Sequence, residues 1–229
     1  MGKGSVTHVD IVKEQKLPPL EMEPRWPVVV ALLTVSGLYA ALPVSLAVIP
    51  HWYLLIIVLA LLVPTRLAHY RGHHDLNQRL GYVVNGVVTV AMVGSLALLI
   101  RALPTRAETP VQLLCSAASL WVTNILVFAL WYWRLDAGGP NRRDQRVGHP
   151  TGAFLFPQMV GPDTRVTAEP QAWSPNFVDY LFLAFNTSTA LSPTDVPVLS
   201  RWAKLLMMVQ AMISLTVIVV LASRAINIL

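Results

Sequence analysis

The chain has 229 residues, of which 55% are hydrophobic and 13% charged, with a mean hydropathy of +0.56. An average soluble domain is about a quarter charged, so this composition excludes a disordered chain and disfavours a soluble enzyme. The 17 Lys and Arg against 12 Asp and Glu give a net charge of +5, an excess that in a membrane protein reports topology, not nucleic-acid binding. The single cysteine, Cys115, excludes an internal disulfide and a cysteine-based metal cluster.

Residues 1–25 are polar with balanced charge and predict a short cytoplasmic tail. A helix needs about 20 apolar residues to cross a bilayer core. Residues 27–49 carry no ionisable group and form the first predicted span, which Pro43 should kink. The second covers residues 51–63 and reaches Ala68 if Arg66 snorkels to the interface. The third covers 82–100 and the fourth 111–133, so that residues 26–134 form a four-helix transmembrane region. Residues 135–175 predict a polar loop, and 202–222 the final span. These runs are continuously apolar, not alternating, so they are helices and not barrel strands. Trp26, Trp52, Tyr82, Trp133 and Trp202 mark span ends, where amphipathic rings prefer to lie.

Charge counting gives an orientation. The tail holds four Lys or Arg, the connection 64–81 three and the connection 134–175 five, while the alternate connections hold none and two. The positive-inside rule places the N-terminus and both rich connections in the cytoplasm.

Residues 176–195 do not fit a plain bundle. Ser174 and Pro175 predict a helix start, an N-cap hydroxyl followed by proline at the first position. The helix should end near Ala190, about 24 Å long and short for a crossing. It carries Asn186, Thr187, Ser188 and Thr189 in succession, and Ser192, Thr194 and Asp195 follow. These seven residues are the candidate pathway set. Asp195 could attract cations at a pore mouth or cap a turn. The hydroxyls could line a path or make interhelical hydrogen bonds. Asp179 should be satisfied in the first turn by the helix dipole. Asn85 and Asn124 predict interhelical bonding, and Trp121 packing between helices.

Residues 184–229 resemble the pore module of potassium channels, with pore helix, filter, acidic residue and inner helix in that order. Thr189 and Asp195 match its pattern. Ser192, Pro193 and Thr194 replace the filter's glycines and tyrosine, so a stacked carbonyl ladder, and with it potassium selectivity, is not implied. A second resemblance covers more of the chain. Trp131-Tyr132-Trp133, Phe154-Leu155-Phe156-Pro157, Asp179-Tyr180, Ala184-Phe185, Asp195-Val196, Ser200-Arg201 and Asn227 are similar to a bacterial integral-membrane family known as a domain of unknown function. It implies a multi-pass protein of the bacterial inner membrane.

The expected fold is an all-α polytopic transmembrane bundle, with five spans plus a re-entrant pore-like helix, or six spans. Residues 176–192 either cross fully, or enter from the cytoplasm and return, or the charge rule misplaces the preceding loop. The spans lack carboxylates and histidines for proton coupling, and no hydrolase constellation is visible. His69, His73 and His74 lie in a basic stretch read as a solvated loop and not as a metal site. No catalytic residue, metal or cofactor is therefore expected. The leading function is a channel-like pore for monovalent cations, formed by a homo-oligomer and guessed as a tetramer. The alternatives are a non-conducting scaffold or accessory subunit and a small-solute carrier. The lipid bilayer is the expected partner, and no nucleic acid.

Overall fold

The computed structural model describes residues 23–70, 74–104, 108–145, 149, 152–159, 173–189 and 196–226. Among them the architecture is all-helical: α1 (Trp26–Ala40), α2 (His51–Tyr70), α3 (His74–Ala102), α4 (Pro110–Leu135), α5 (Pro140–Arg143), α6 (Phe177–Thr189) and α7 (Arg201–Ile226), with short 3-10 turns between some of them. Three stretches are long and apolar enough to cross a membrane: Asp75–Ala102, Pro110–Gly138 and Arg201–Ser223. Two further apolar helices, Trp26–Ala40 and His51–Thr65, are shorter.

Several boundaries differ from the sequence reading for identifiable reasons. Pro43 does not kink α1. The helix has already ended at Ala40, and Pro43 leads into a 3-10 turn at Val44–Leu46. Pro64, read as a span end, lies inside α2, which continues to Tyr70. The connection read as a loop over residues 64–81 is mostly helix, because α3 already begins at His74. His69 and His74 thus fall on the end of α2 and the start of α3, while His73 is outside the described residues. α4 opens with a reciprocal cap. Thr109 accepts from the Gln112 amide, and the Gln112 side chain accepts from the Thr109 amide. Two otherwise orphaned donors are satisfied this way.

α4 is the centre of the bundle. It packs on α1, α3, α6 and α7, and 61% of its apolar window is buried against 22% for α7. α7 buries one stripe, Ala203, Gln210, Ser214, Val217 and Val220, at helical spacing. It exposes Leu205, Met208, Met212, Leu215 and Val219 on the other side.

The helix ends sort into two groups. At one end meet the starts of α1, α3, α6 and α7 and the ends of α2 and α4. Asn77 of α3 donates to the Thr65 carbonyl of α2 at 2.9 Å, and Gln78 donates to the Gly138 carbonyl just past α4. Trp202 of α7 packs on Phe154, which in turn contacts Tyr132 and Tyr180. The other end holds the connections from α1 to α2 and from α3 to α4, joined where Ser45 donates to Glu108.

α6 is the exception to simple up-and-down order. It runs antiparallel to α4. Phe177 pairs with Trp133, Tyr180 with Asp136, Phe185 with Trp121 and Ser188 with Asn124. Its 13 residues measure about 20 Å. α4 continues beyond Trp121 to Pro110, about 16 Å further than α6 reaches. After α6 the chain is back at the first end by Val198, which forms a bridge with Phe154. The Pro197 carbonyl accepts from the Leu155 amide, and the Ala153 carbonyl from the Leu199 amide.

Candidate functional site

Two polar layers interrupt the apolar bundle. The deeper one is built on Gln210 of α7, which is fully buried. Its amide Nε2 donates to the Ala184 carbonyl and to Ser188 Oγ, both at 2.7 Å. Its Oε1 accepts from the Tyr132 hydroxyl. Asn124 Nδ2 donates to the Gln210 carbonyl at 3.3 Å and to Ser188 Oγ at 3.5 Å. Ser214 donates to the Ser188 carbonyl and accepts from the Trp121 indole. Three side chains from two helices, Asn124 of α4 and Gln210 and Ser214 of α7, therefore converge on one turn of α6.

This layer places four of the seven candidate pathway residues. Ser188 is buried at its centre. The Thr187 hydroxyl donates to the Leu183 carbonyl, and the Thr189 hydroxyl to the Asn186 carbonyl, so both are spent on their own helix. Asn186 is half-buried. Ser192, Thr194 and Asp195 lie outside the described residues. Asn124 makes the interhelical bonds expected of it, whereas Asn85 Nδ2 is buried with no hydrogen-bond partner. The predicted cap at Ser174 is displaced by two residues. Asn176 Oδ1 accepts from the Val178 amide, and Asp179 Oδ2 accepts from the Asn176 amide at 2.8 Å.

The second layer lies at the end of α4, in the stretch read from sequence as a polar loop. α4 stops because Ala137, Gly138 and Gly139 take φ values of 50°, 81° and 92°. Glycine adopts this left-handed geometry freely; for Ala137 it costs roughly 1 kcal/mol. The turn folds the Asp136 carboxylate inward, fully buried. Its Oδ2 accepts from the Tyr180 hydroxyl at 2.6 Å and pairs with His149 Nε2 at 2.8 Å, while Oδ1 accepts from the Ala153 amide at 2.5 Å. A carboxylate at a helix C-terminus faces the negative end of the dipole, and these three donors offset that. The His149 ring lies so close to Gly152 that a Cβ there would come within 2.0 Å of Nε2. Gly152→Ala should therefore lower stability by about 1–3 kcal/mol through overpacking, measurable as a lower melting midpoint in detergent.

Around Asp136 lies a charged shell. Arg143 is buried and donates to the Trp133 and Asp136 carbonyls and to Glu23 Oε2. Glu23 also accepts from the Trp133 indole at 2.6 Å. Arg25 pairs with Asp144 and Glu23. The guanidiniums of Arg25, Arg134 and Arg143 lie 5.2–5.9 Å from the Trp133 ring centroid, within cation–π range. The basic run at Arg142 and Arg143, read as a topology signal, thus includes a buried structural cation.

Sequence reasoning missed Asp136, Arg143, His149 and Gln210. A signal for Asp136 was available: an acid at the end of an apolar helix, before Gly-Gly-Pro, opposes the dipole and calls for partners. Those partners are 13 and 44 residues away, beyond any local pattern. Among the described residues no three His, Cys, Asp or Glu side chains are grouped to hold a metal ion. The chain matches no protein-family model, no curated protein and no solved structure.

Proposed function

We propose that the chain is a five-span membrane protein of the bacterial inner membrane, with α6 as a re-entrant helix entering from the cytoplasmic side, and that α6 and α7 form a channel-like pore module. The observation that carries this reading is the half-depth course of α6. The helix starts beside Asp136, ends level with Asn124 and Trp121, and is followed by chain that is back at its starting end by Val198. Backbone that turns at membrane depth is tolerated only where protein buries it or where it lines a water-filled cavity. The charge distribution supports the same orientation. The end where α6 enters carries the N-terminal tail and both Arg-rich connections, which the positive-inside rule assigns to the cytoplasm.

In this reading copies of the chain, four in the simplest pore, surround an axis approached by α6. Asp195, which lies outside the described residues, is the residue assigned to attract monovalent cations. Selectivity is weak, because Pro193 and the absence of filter glycines forbid a carbonyl ladder. A second reading has its own observation in favour. Ser188, Thr187 and Thr189 spend their hydroxyls on protein partners, as in a non-conducting scaffold whose polar turn is a packing device.

Side-specific thiol labelling tests the topology. In a Cys115→Ser background, one probe cysteine replaces the exposed Gln158 and another follows Leu229. The expected result is labelling from opposite sides of the membrane. Labelling of both from one side means that residues 176–192 cross fully, and the re-entrant reading falls. Flux in liposomes tests the pore. The chain should pass potassium and sodium with little discrimination, and Asp195→Asn should reduce that flux severalfold. Absence of flux in every oligomeric form leaves the scaffold.

A further inference from the structure

A cavity opens between the start of α1, the end of α2, the start of α3 and the end of α4, with about 50 Å³ open to the centres of water-sized bodies. One water needs roughly 10–15 Å³ by that measure, so the cavity admits a group of several heavy atoms. Arg134 reaches it from the last turn of α4 and is only 6% exposed. Its Nε and Nη1 are buried without a hydrogen-bond partner, and so is Nδ2 of Asn85, which lines the same cavity. All three atoms are donors.

The charge around Arg134 makes the imbalance sharper. Arg25 and Arg143 are close enough to repel it, and each is already paired with a carboxylate. Among the described residues Arg134 has no carboxylate of its own, and the Trp133 ring face offsets part of its charge. A buried cation with unmet donors is costly unless an anion accepts from it. Guanidinium presents its donors in a planar fork that fits the paired oxygens of an oxyanion.

We propose that this cavity is a binding site for a phosphate-type oxyanion, with Arg134 as its charge partner and Asn85 as a second donor. Part of the wall is apolar, formed by Val28, Leu32, Leu62 and Val84. That wall suits the glycerol and acyl carbons of a lipid whose phosphate sits on Arg134, and a free phosphate would use the polar half alone. Gly81 is part of the construction. The Arg134 guanidinium lies directly on it, and a Cβ there would come within 1.8 Å of Nη1.

The test uses the full-length protein in neutral detergent. Its melting midpoint is titrated with inorganic phosphate and, separately, with phosphatidylglycerol against phosphatidylcholine, and native mass spectrometry counts retained lipid. The expected result is a rise in midpoint with at least one anionic probe and no rise with phosphatidylcholine. Arg134→Gln should weaken that response about tenfold or more, the scale of one charge-assisted hydrogen bond. A response to phosphate supports a free oxyanion as ligand, and a response confined to phosphatidylglycerol supports a lipid headgroup. Gly81→Ala is the second variant. It displaces only the mobile end of one side chain and improves helix propensity, so the protein should fold while the anion response falls. No response in the wild-type protein, or an undiminished response in Gly81→Ala and in any folded Arg134→Gln, overturns the site.

Discussion

Replacing Asp136 by alanine is expected to destabilise the protein by about 3–5 kcal/mol, the usual cost of removing one partner from a buried charged pair. Three donors lose their acceptor at once: the Tyr180 hydroxyl, the His149 ring and the Ala153 amide. None of them is positioned to reach water, because Tyr180 and Asp136 are fully buried and His149 nearly so. The consequence extends beyond the local turn. Asp136 ties the end of α4 to α6 through Tyr180, and through Ala153 and Phe154 to Val198, just before α7. The readout is the apparent melting midpoint in detergent, with a fall of roughly 10 °C or more.

Milder substitutions should fall in a definite order. In Asp136→Asn the amide oxygen can still serve Tyr180 and His149, but Nδ2 then faces the Ala153 amide, donor against donor. That costs about 1–3 kcal/mol. In Tyr180→Phe the carboxylate keeps two partners, and the loss is about 1 kcal/mol. A structural staple predicts alanine worst, asparagine intermediate and Tyr180→Phe mildest. If all three variants melt with the wild-type protein, the staple is absent.

What the sequence made legible was set by the range of the interactions. Long apolar runs announce helices because each residue contributes to the same signal, and α3, α4 and α7 lie where hydropathy puts them. Boundaries depended on prolines, whose effect is ambiguous from sequence. Pro43 follows the end of α1 and Pro64 is accommodated inside α2, although both remove one backbone donor. Charge misled in one respect. Residues 135–175 look like a solvated loop by polarity, yet Asp136, Asn141, Arg143 and His149 are buried. Much of their polarity is met by one another, by backbone carbonyls and by Glu23, which lies 110 residues from Trp133 and 120 from Arg143, while Arg143 Nε and His149 Nδ1 have no partner. Pairing across such separations leaves no local pattern. The same limit hid Gly81, whose only distinguishing feature is the guanidinium lying on it.

The polar run of α6 shows how a legible feature can keep two meanings until its neighbours are known, and Gln210 separates them. Gln210→Leu is expected to cost about 2–5 kcal/mol, from three hydrogen bonds each worth roughly 0.6–1.7 kcal/mol in a membrane setting. Leucine nearly conserves volume, so the loss reports the bonds to Ala184, Ser188 and Tyr132 and not a cavity. Gln210→Glu should be worse than leucine. It turns the Nε2 donor into an acceptor facing the Ala184 carbonyl and buries a charge with no cation beside it among the described residues. A double-mutant cycle with Ser188→Ala then measures the pair directly. If Ser188 is a packing residue, the single changes overlap and the coupling is about 1 kcal/mol. If Ser188 also serves a conduction path, its replacement alters flux in addition to that coupling. The coupling thus tests the packing role of the deeper polar layer, and the flux tests its part in a path.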